Sequence, residues 1–207
     1  MTAAALFPMS PPLLYYVRHG ETVWNVEGRL QGQHDSDLTT RGRAQALRCG
    51  EILRNLLARD RRDATDLDYV ASPLGRARDT MERLRVTLGL NASDYRTDAR
   101  LAELSFGRWE GLAYPALQAT ERSVLAARER DKWGFRPPGG ESYADLLTRV
   151  RAWHATVTRD SVVVAHGGTG RALVALYGIM PPEAAAVTHV GQGVVYVFSS
   201  GSWTKYG

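Results

Sequence analysis

The chain has 207 residues, of which 44% are hydrophobic and 23% are charged, and its formal net charge is +4. These values are typical of a soluble globular protein, and no apolar run approaches the roughly 20 residues that a membrane-spanning helix needs. The positive charge comes almost entirely from arginines that alternate with acidic residues along the chain. This spacing argues against the clustered basic face of a nucleic-acid-binding protein, so we expect neither a nucleic acid nor a membrane as partner.

The length favours a single domain over residues 1–207, with a short insertion at about residues 112–138. The lone cysteine, Cys49, cannot form an internal disulfide, which favours a reducing, cytoplasmic location. Residues 1–12 contain a short apolar run that Pro8 interrupts, and no basic residue precedes it. We therefore expect a loose tail there rather than a signal peptide.

The first half of the chain alternates strand and helix patterns. An apolar run over residues 13–17 predicts a buried strand, and a stripe of small and apolar residues predicts a helix over residues 43–58. Residues 67–71 predict a second strand. Ser72-Pro73 then opens a second helix, because proline is favoured in the first turn.

The second half continues the alternation around the insertion, which has a mixed helical pattern. The predicted elements are a weak strand over 95–101, an amphipathic helix over 142–157, a buried strand over 161–165, a helix over 170–177 and a last strand over 194–199. Such alternation predicts an α/β fold with a mostly parallel central sheet that helices cover on both faces.

Two of the predicted strands run directly into a histidine and a glycine, at His19 and His166. Side chains at the carboxyl ends of parallel strands meet in the ligand crevice of such sheets, so the two histidines suggest one site. Arg18 and Asn25 add a guanidinium and an amide, and Arg76 lies in the first turn of the helix after the second strand. Together these groups suit a phosphoryl dianion. Taken singly, each also has an ordinary structural role: a buried, hydrogen-bonded histidine or a solvated helix arginine.

Six segments in order resemble the histidine phosphatase superfamily, also called the phosphoglycerate mutase-like family. The segments are Arg18-His19-Gly20-Glu21-Thr22 with Trp24-Asn25, residues 28–32 with 37–39 and Gly42, Ser72-Pro73-Leu74 with Arg76-Ala77, residues 101–103 with 106–107 and 109–111, residues 138–142, and residues 163–168. The resemblance covers nearly the whole chain. It implies a three-layer α/β/α sandwich with a phosphoglycerate mutase-like central sheet.

The resemblance implies that His19 attacks phosphorus and becomes a phosphohistidine, and that Glu103 is the proton donor to the leaving alcohol. The chemistry is consistent with both roles: neutral imidazole is a competent nucleophile near pH 7, and an alkoxide leaves readily only when it is protonated. No metal and no other cofactor is implied. The residues expected to contact the phosphoryl group or the rest of the substrate are Arg18, His166, Asn25, Arg76, Gly167, Gln31 and Thr22.

The expected function is metal-independent hydrolysis of a small phosphorylated metabolite through a phosphohistidine, because the insertion lacks the long arginine-paired stretch of the related mutases. A cofactor-dependent phosphoglycerate mutase is the alternative, and a non-catalytic phosphate-binding module is a remote one. The substrate would be selected by the pocket rim, formed by Val23, Gln31, His34, Phe106 and the insertion. Glu110 and Glu141 either shape loops or act in the site. A monomer and a homodimer are both open.

Overall fold

The computed structural model describes residues 11–207, so most of the predicted N-terminal tail lies outside the described residues. A six-stranded sheet forms the centre of this part of the chain. Its strands are β1 (Leu14–Arg18), β2 (Asp68–Ala71), β3 (Arg96–Thr97), β4 (Ser161–Ala165), β5 (Val195–Ser199) and β6 (Ser202–Tyr206). The order across the sheet is β3-β2-β4-β1-β5-β6. The first four strands in that order are parallel, whereas β5 and β6 are antiparallel to their neighbours. The predicted α/β class with a mostly parallel sheet is confirmed.

Helices connect the strands. They are α1 (Val23–Val26), α2 (Thr40–Arg59), α3 (Gly75–Thr87), α4 (Tyr114–Thr120), α5 (Arg122–Arg130), α6 (Tyr143–His154), α7 (Gly167–Leu176) and α8 (Pro182–Val187). Side-chain caps fix several helix starts: Thr39 accepts a hydrogen bond from the Gly42 N–H, and Ser142 forms a capping box with Asp145. Across residues 11–207, none of the helices combines the length and the apolar character needed to cross a membrane.

The core lies on both faces of the sheet. Successive residues of β1 point to opposite faces, so that Tyr15 and Val17 pack among residues of α2 and α3, whereas Leu14 and Tyr16 pack among residues of α6 and α7. All four side chains are buried. This explains why β1 reads as a continuous apolar run instead of an alternating one.

The structure differs from the sequence prediction at several elements. Helix α2 begins at Thr40, three residues earlier than predicted, and α6 ends at His154, three residues earlier than predicted. The strand predicted over residues 95–101 is only two residues long, because the Asp98 side chain accepts from the Arg100 N–H and caps a 3₁₀ turn at Ala99–Leu101. Helix α7 begins at Gly167, three residues earlier than predicted. Residues 202–206, for which no element was predicted, form β6 against β5.

Candidate active site

The two histidines meet because their strands are neighbours. Strands β1 and β4 pair in parallel with Arg18 opposite Ala165, and the His19 N–H donates to the Ala165 carbonyl at 2.9 Å. The residue after each strand therefore lies beside the other, and the ring centroids of His19 and His166 are 5.3 Å apart. Both residues are buried. The expectation that these two strand ends build one site agrees with this geometry.

The His19 ring is held in one tautomer. Its Nδ1 lies 2.8 Å from the carbonyl oxygen of Gly20, and because a carbonyl only accepts, Nδ1 carries the proton. Nε2 therefore keeps its lone pair. Burial lowers the pKa of His19 well below its ordinary value of 6.5, and the positive charges of Arg76 and Arg18 lower it further. His19 is thus a neutral imidazole at pH 7.

Two arginines flank the histidines, and each is anchored while part of its guanidinium stays unpaired. Arg76 donates to Asp35 Oδ1 at 2.8 Å, to the His34 carbonyl at 2.6 Å and to the Gly32 carbonyl at 2.7 Å. Arg18 donates to the Val190 carbonyl at 2.8 Å. The Nε atoms of both arginines are buried without a hydrogen-bond partner. Because a guanidinium has five N–H donors, both residues retain donors for an anion.

The loop after β1 supplies two amide side chains. Asn25 Oδ1 accepts from the Thr22 N–H at 3.1 Å and from Gln192 Nε2 at 3.0 Å, which orients the amide and leaves its Nδ2 as a donor. Gln31 Nε2 donates to Thr22 Oγ1 at 2.7 Å. Asn25 and Gln31 both line the cavity. Thr22 does not line the cavity, because it is fully buried as the N-cap of α1. It was expected to contact the substrate, but it instead contacts Asn25 and Gln31, which line the cavity.

His166 is oriented by a hydroxyl group. Its Nε2 lies 2.7 Å from Ser72 Oγ, and this oxygen also accepts from the Leu74 N–H at 3.3 Å. The Ser72 hydroxyl can donate to Nε2 or accept from it, and when it donates, the ring proton of His166 is on Nδ1. That atom is buried and has no partner. Burial, followed by the charge of Arg76, lowers the pKa of His166 well below its ordinary value, so this ring is also neutral.

The Glu103 carboxylate is held by two backbone N–H groups. Oε1 accepts from Leu104 N at 2.8 Å, and Oε2 accepts from Gly168 N at 3.1 Å in the first turn of α7. A Cβ atom at Gly168 would lie 2.1 Å from Glu103 Oε1. Only glycine therefore allows this close approach, and Gly168 fixes where the carboxylate lies.

Two further carboxylates hold the loops around the site, which resolves the alternatives for Glu141 and Glu110 in favour of loop support. Glu141 pairs with Arg149 at 2.9 Å, and Arg149 donates to the Glu103 carbonyl at 2.9 Å. Glu110 Oε1 accepts from Phe106 N at 2.9 Å and from Gln33 N at 3.2 Å. Both acids tie the loop that carries Glu103 to its neighbours.

A cavity of about 170 Å³ lies at this edge of the sheet, lined among others by His19, Arg18, Arg76, Glu103, Asn25, Gln31, Phe106 and Gly167. Of the rim expected for it, Val23, His34 and the insertion at residues 112–138 do not line it, and the fully buried His166 lies behind the lining. Val23 lies on the outer side of α1, and His34 contributes its carbonyl to Arg76. A larger cavity of about 470 Å³ adjoins the first residue of β2, at the opposite end of that strand, and its lining includes no histidine or cysteine.

Arg29 and Arg171 also line the cavity that contains the His19 ring at its wall, and neither was predicted as a site residue. Arg171 lies on α7, where its Nε donates to the Thr188 carbonyl at 2.9 Å and one terminal nitrogen donates to the Tyr143 hydroxyl at 3.1 Å. Arg171 is one helical turn after Gly167, so the i, i+4 spacing places both residues on one face. That signal was hidden because the helix was predicted to begin at residue 170.

Comparisons with known proteins agree with this geometry. The model of the histidine phosphatase superfamily (branch 1) matches residues 14–204. Glucosyl-3-phosphoglycerate phosphatase of Mycobacterium tuberculosis is 36% identical over 176 residues, which is 78% of this chain and 73% of the relative. A probable phosphoglycerate mutase, GpmB, of Salmonella paratyphi C is 38% identical over 139 residues, which is 67% of this chain and 60% of the relative. The solved structure of mycobacterial glucosyl-3-phosphoglycerate phosphatase with VO3 has a TM-score of 0.79 at 31% identity and covers 94% of this chain and 97% of its own.

Proposed function

The chain belongs to the histidine phosphatase superfamily, and from that membership we propose that it hydrolyses a phosphate monoester of a small metabolite, without a metal ion, through a phosphohistidine at His19. The observation that carries the proposal is a neutral imidazole with a free Nε2 beside two buried guanidinium donors, Arg18 Nε and Arg76 Nε, that have no protein partner. The buried Nδ1 of His166 also has no partner and donates in the tautomer in which Ser72 donates to Nε2. A phosphoryl group supplies the oxygens that such donors require.

In the first step, Nε2 of His19 forms a bond to phosphorus while the bond between phosphorus and the ester oxygen breaks. Arg18, Arg76, Asn25 and the His166 ring bind the three oxygens of the phosphoryl group as it moves from oxygen to nitrogen. The N–H groups at the start of α7 lie at the positive end of that helix and favour the same negative charge. Fixed donors of this kind typically contribute about 10²-fold or more each to the rate.

Glu103 gives a proton to the departing ester oxygen, so that an alcohol leaves instead of an alkoxide. Its carboxyl group lines the same cavity as His19, and its two backbone N–H contacts hold it in place. Each carboxyl oxygen has a second lone pair, so a proton can be carried beside these contacts. Proton transfer of this kind contributes about 10²- to 10⁴-fold.

In the second step, water attacks phosphorus and the bond to Nε2 breaks, which releases inorganic phosphate and restores His19. Glu103, now a carboxylate, takes a proton from the attacking water. The hydrogen bond from Nδ1 to the Gly20 carbonyl persists through both steps and keeps Nε2 directed at phosphorus.

A mutase is the second candidate, and the 38% identity to a probable phosphoglycerate mutase favours keeping it. A mutase would return the phosphoryl group to a second hydroxyl instead of to water. In this chain the insertion consists of two short helices, α4 and α5, of seven and nine residues. A segment this short favours access of water to the phosphohistidine, and therefore hydrolysis.

The test is an assay of phosphate release in EDTA with 3-phosphoglycerate, both with and without 2,3-bisphosphoglycerate. Steady release that does not depend on the bisphosphate is the expected result. Isomerisation to 2-phosphoglycerate that requires the bisphosphate, with little release, would establish the mutase. Loss of activity in EDTA that added divalent metal restores would contradict the metal-independent mechanism.

A further inference from the structure

The segment that carries Glu103 lacks regular secondary structure. Residues 103–106 belong to no helix or strand, so no helical or sheet ladder of hydrogen bonds fixes their backbone. Within residues 11–207, the Glu103 carboxylate accepts from two N–H groups, and one of these, Leu104 N, belongs to the same segment. The position of the carboxylate relative to His19 therefore depends on what fixes this backbone.

Arg149 supplies contacts that fix it. One terminal nitrogen donates to the carbonyl oxygens of Arg100 and Ala102, both at 2.7 Å, and the other donates to the Glu103 carbonyl at 2.9 Å. The Nε and the second terminal nitrogen donate to the two carboxylate oxygens of Glu141 at 3.0 and 2.9 Å. All five N–H groups of the guanidinium can thus be used, and three of the acceptors lie within residues 100–103.

Glu141 extends this support to the other side of Glu103. Its Oε2 accepts from Ser105 N at 3.0 Å, and its own N–H donates to the Ser105 carbonyl at 2.9 Å. The side chains of Arg149 and Glu141 are 19% and 26% exposed, so these charge-assisted hydrogen bonds are partly shielded from water, which strengthens them. The pair therefore holds the backbone both before and after Glu103.

Arg149 itself stands on a firmly packed helix. Its neighbours on α6, Leu146 and Val150, are fully buried in a core cluster that also contains residues of α7. A Cβ atom at Gly168 would lie 3.2 Å from Leu146 Cδ2, so α6 and α7 are in contact beside the carboxylate. Because the Gly168 N–H binds Glu103 Oε2, the same pair of helices positions both the backbone and the carboxylate of Glu103.

We propose that Arg149 is a positioning residue for proton transfer, and that it acts by holding the Glu103 carboxylate at the departing ester oxygen. Arg149 does not line the cavity, so it acts without touching substrate. Lysine could not replace it, because an ammonium group is a point donor that cannot serve the loop carbonyls and both Glu141 oxygens at once. This inference rests on the proposed phosphatase function, in which Glu103 protonates the leaving alcohol.

The test compares glycerol 3-phosphate, whose alkoxide needs a proton, with p-nitrophenyl phosphate, whose phenolate leaves without one. Arg149→Lys should lower kcat/KM for glycerol 3-phosphate about 10²-fold, the typical effect of moving a reacting group by about 1 Å. The loss on p-nitrophenyl phosphate should be less than about threefold. In protein that already carries Glu103→Gln, Arg149→Lys should cost less than about threefold on either ester, because no carboxylic proton remains to be positioned.

Two further variants guard against general damage. Arg151→Lys makes the same exchange at an exposed position of α6 and should leave both esters unaffected. Glu141→Gln keeps Arg149 but places an amide N–H₂ against one of its nitrogens whichever way the amide is turned, because both Glu141 oxygens accept from Arg149. It should give the same contrast between the esters at a smaller size, and it decides the question if Arg149→Lys does not fold in thermal unfolding.

Equal losses on the two esters in a folded variant, or a further loss of about 10²-fold in the Glu103→Gln background, would overturn the proposal. If the wild-type protein hydrolyses neither ester, or if Glu103→Gln affects both equally, the proposed function fails separately. Amide hydrogen exchange followed by NMR then still tests the support of the carboxylate, at the two N–H groups that donate to it, Leu104 and Gly168. Faster exchange at both in Arg149→Lys than in Arg151→Lys supports the positioning role, and unchanged exchange overturns it.

Discussion

Replacing Gly168 with alanine should disable proton donation while leaving the nucleophile intact. The added Cβ would lie 2.1 Å from Glu103 Oε1, whereas non-bonded heavy atoms settle at about 3.5 Å. Leu146 Cδ2 lies 3.2 Å from the same point, so the methyl group cannot move away on that side. The carboxylate must therefore shift by more than 1 Å.

A displacement of that size typically costs about 10²-fold when the group must meet a reacting atom. We therefore expect Gly168→Ala to lower kcat/KM for glycerol 3-phosphate about 10²-fold. With p-nitrophenyl phosphate the loss should be less than about threefold, because p-nitrophenolate leaves without a proton. Glu103→Gln should give the same contrast, since glutamine fills the same space but donates no carboxylic proton.

Two controls separate this effect from general damage. Gly191→Ala adds a methyl group at 3.4 Å or more from its neighbours, outside the cavity lining, and should leave both substrates unaffected. Thermal unfolding should show that Gly168→Ala stays folded, because alanine is the better helix former at this position in α7. Equal losses on the two substrates in a folded Gly168→Ala protein would refute Glu103 as the proton donor.

Three further predictions concern the nucleophile, the phosphate contacts and acid stability. His19→Ala should abolish turnover and the acid-labile phosphoprotein seen after rapid quench with ³²P-labelled substrate; activity within tenfold of wild type would exclude His19 as nucleophile. Arg76→Lys keeps the charge but loses the unpaired Nε donor, and kcat/KM should fall about 10²-fold in a phosphate-release assay, whereas Arg78→Lys on the exposed side of α3 should be neutral. Because the pKa values of His19 and His166 are lowered in the folded state, the unfolded state takes up their protons first as the pH falls below about 6.5, so the free energy of unfolding in urea should decrease by up to about 1.4 kcal/mol per pH unit for each ring. A slope in His166→Gln equal to that of the wild type would contradict the assignment for that ring.

The site residues at the strand ends could be predicted from the sequence because the patterns that mark them are local. A buried parallel strand has a continuous apolar sequence, and the residue after it falls at the ligand edge of the sheet, so the sequence predicts that His19 and His166 lie together. Arg76 could be predicted for the same reason, since it lies in the first turn of the helix after β2. The order of the strands, by contrast, depends on pairings between distant segments that no local pattern encodes.

Three predictions failed because the outcome depends on how the chain folds around the residue or on a weak local pattern. Thr22 has a hydroxyl that suits an anion, but in the fold it caps α1 and holds Gln31, and this choice depends on the path of the loop. Arg171 was overlooked because glycine has a low helix propensity, which concealed the true start of α7 at Gly167. Strand β6 was overlooked although Ser200 and Gly201 form a two-residue turn, which is a recognisable hairpin signal.

The pairing of β1 with β4 also determines when the protein can first become active. Tyr16 and His166 are in hydrogen-bond contact although they are 150 residues apart in the chain, so the site depends on one of the most distant contacts in the fold. During synthesis, the site around His19 cannot be complete until β4 and His166 have left the ribosome, which requires most of the chain. In refolding, recovered phosphatase activity would therefore report the closure of this long loop, later than signals that follow helix formation.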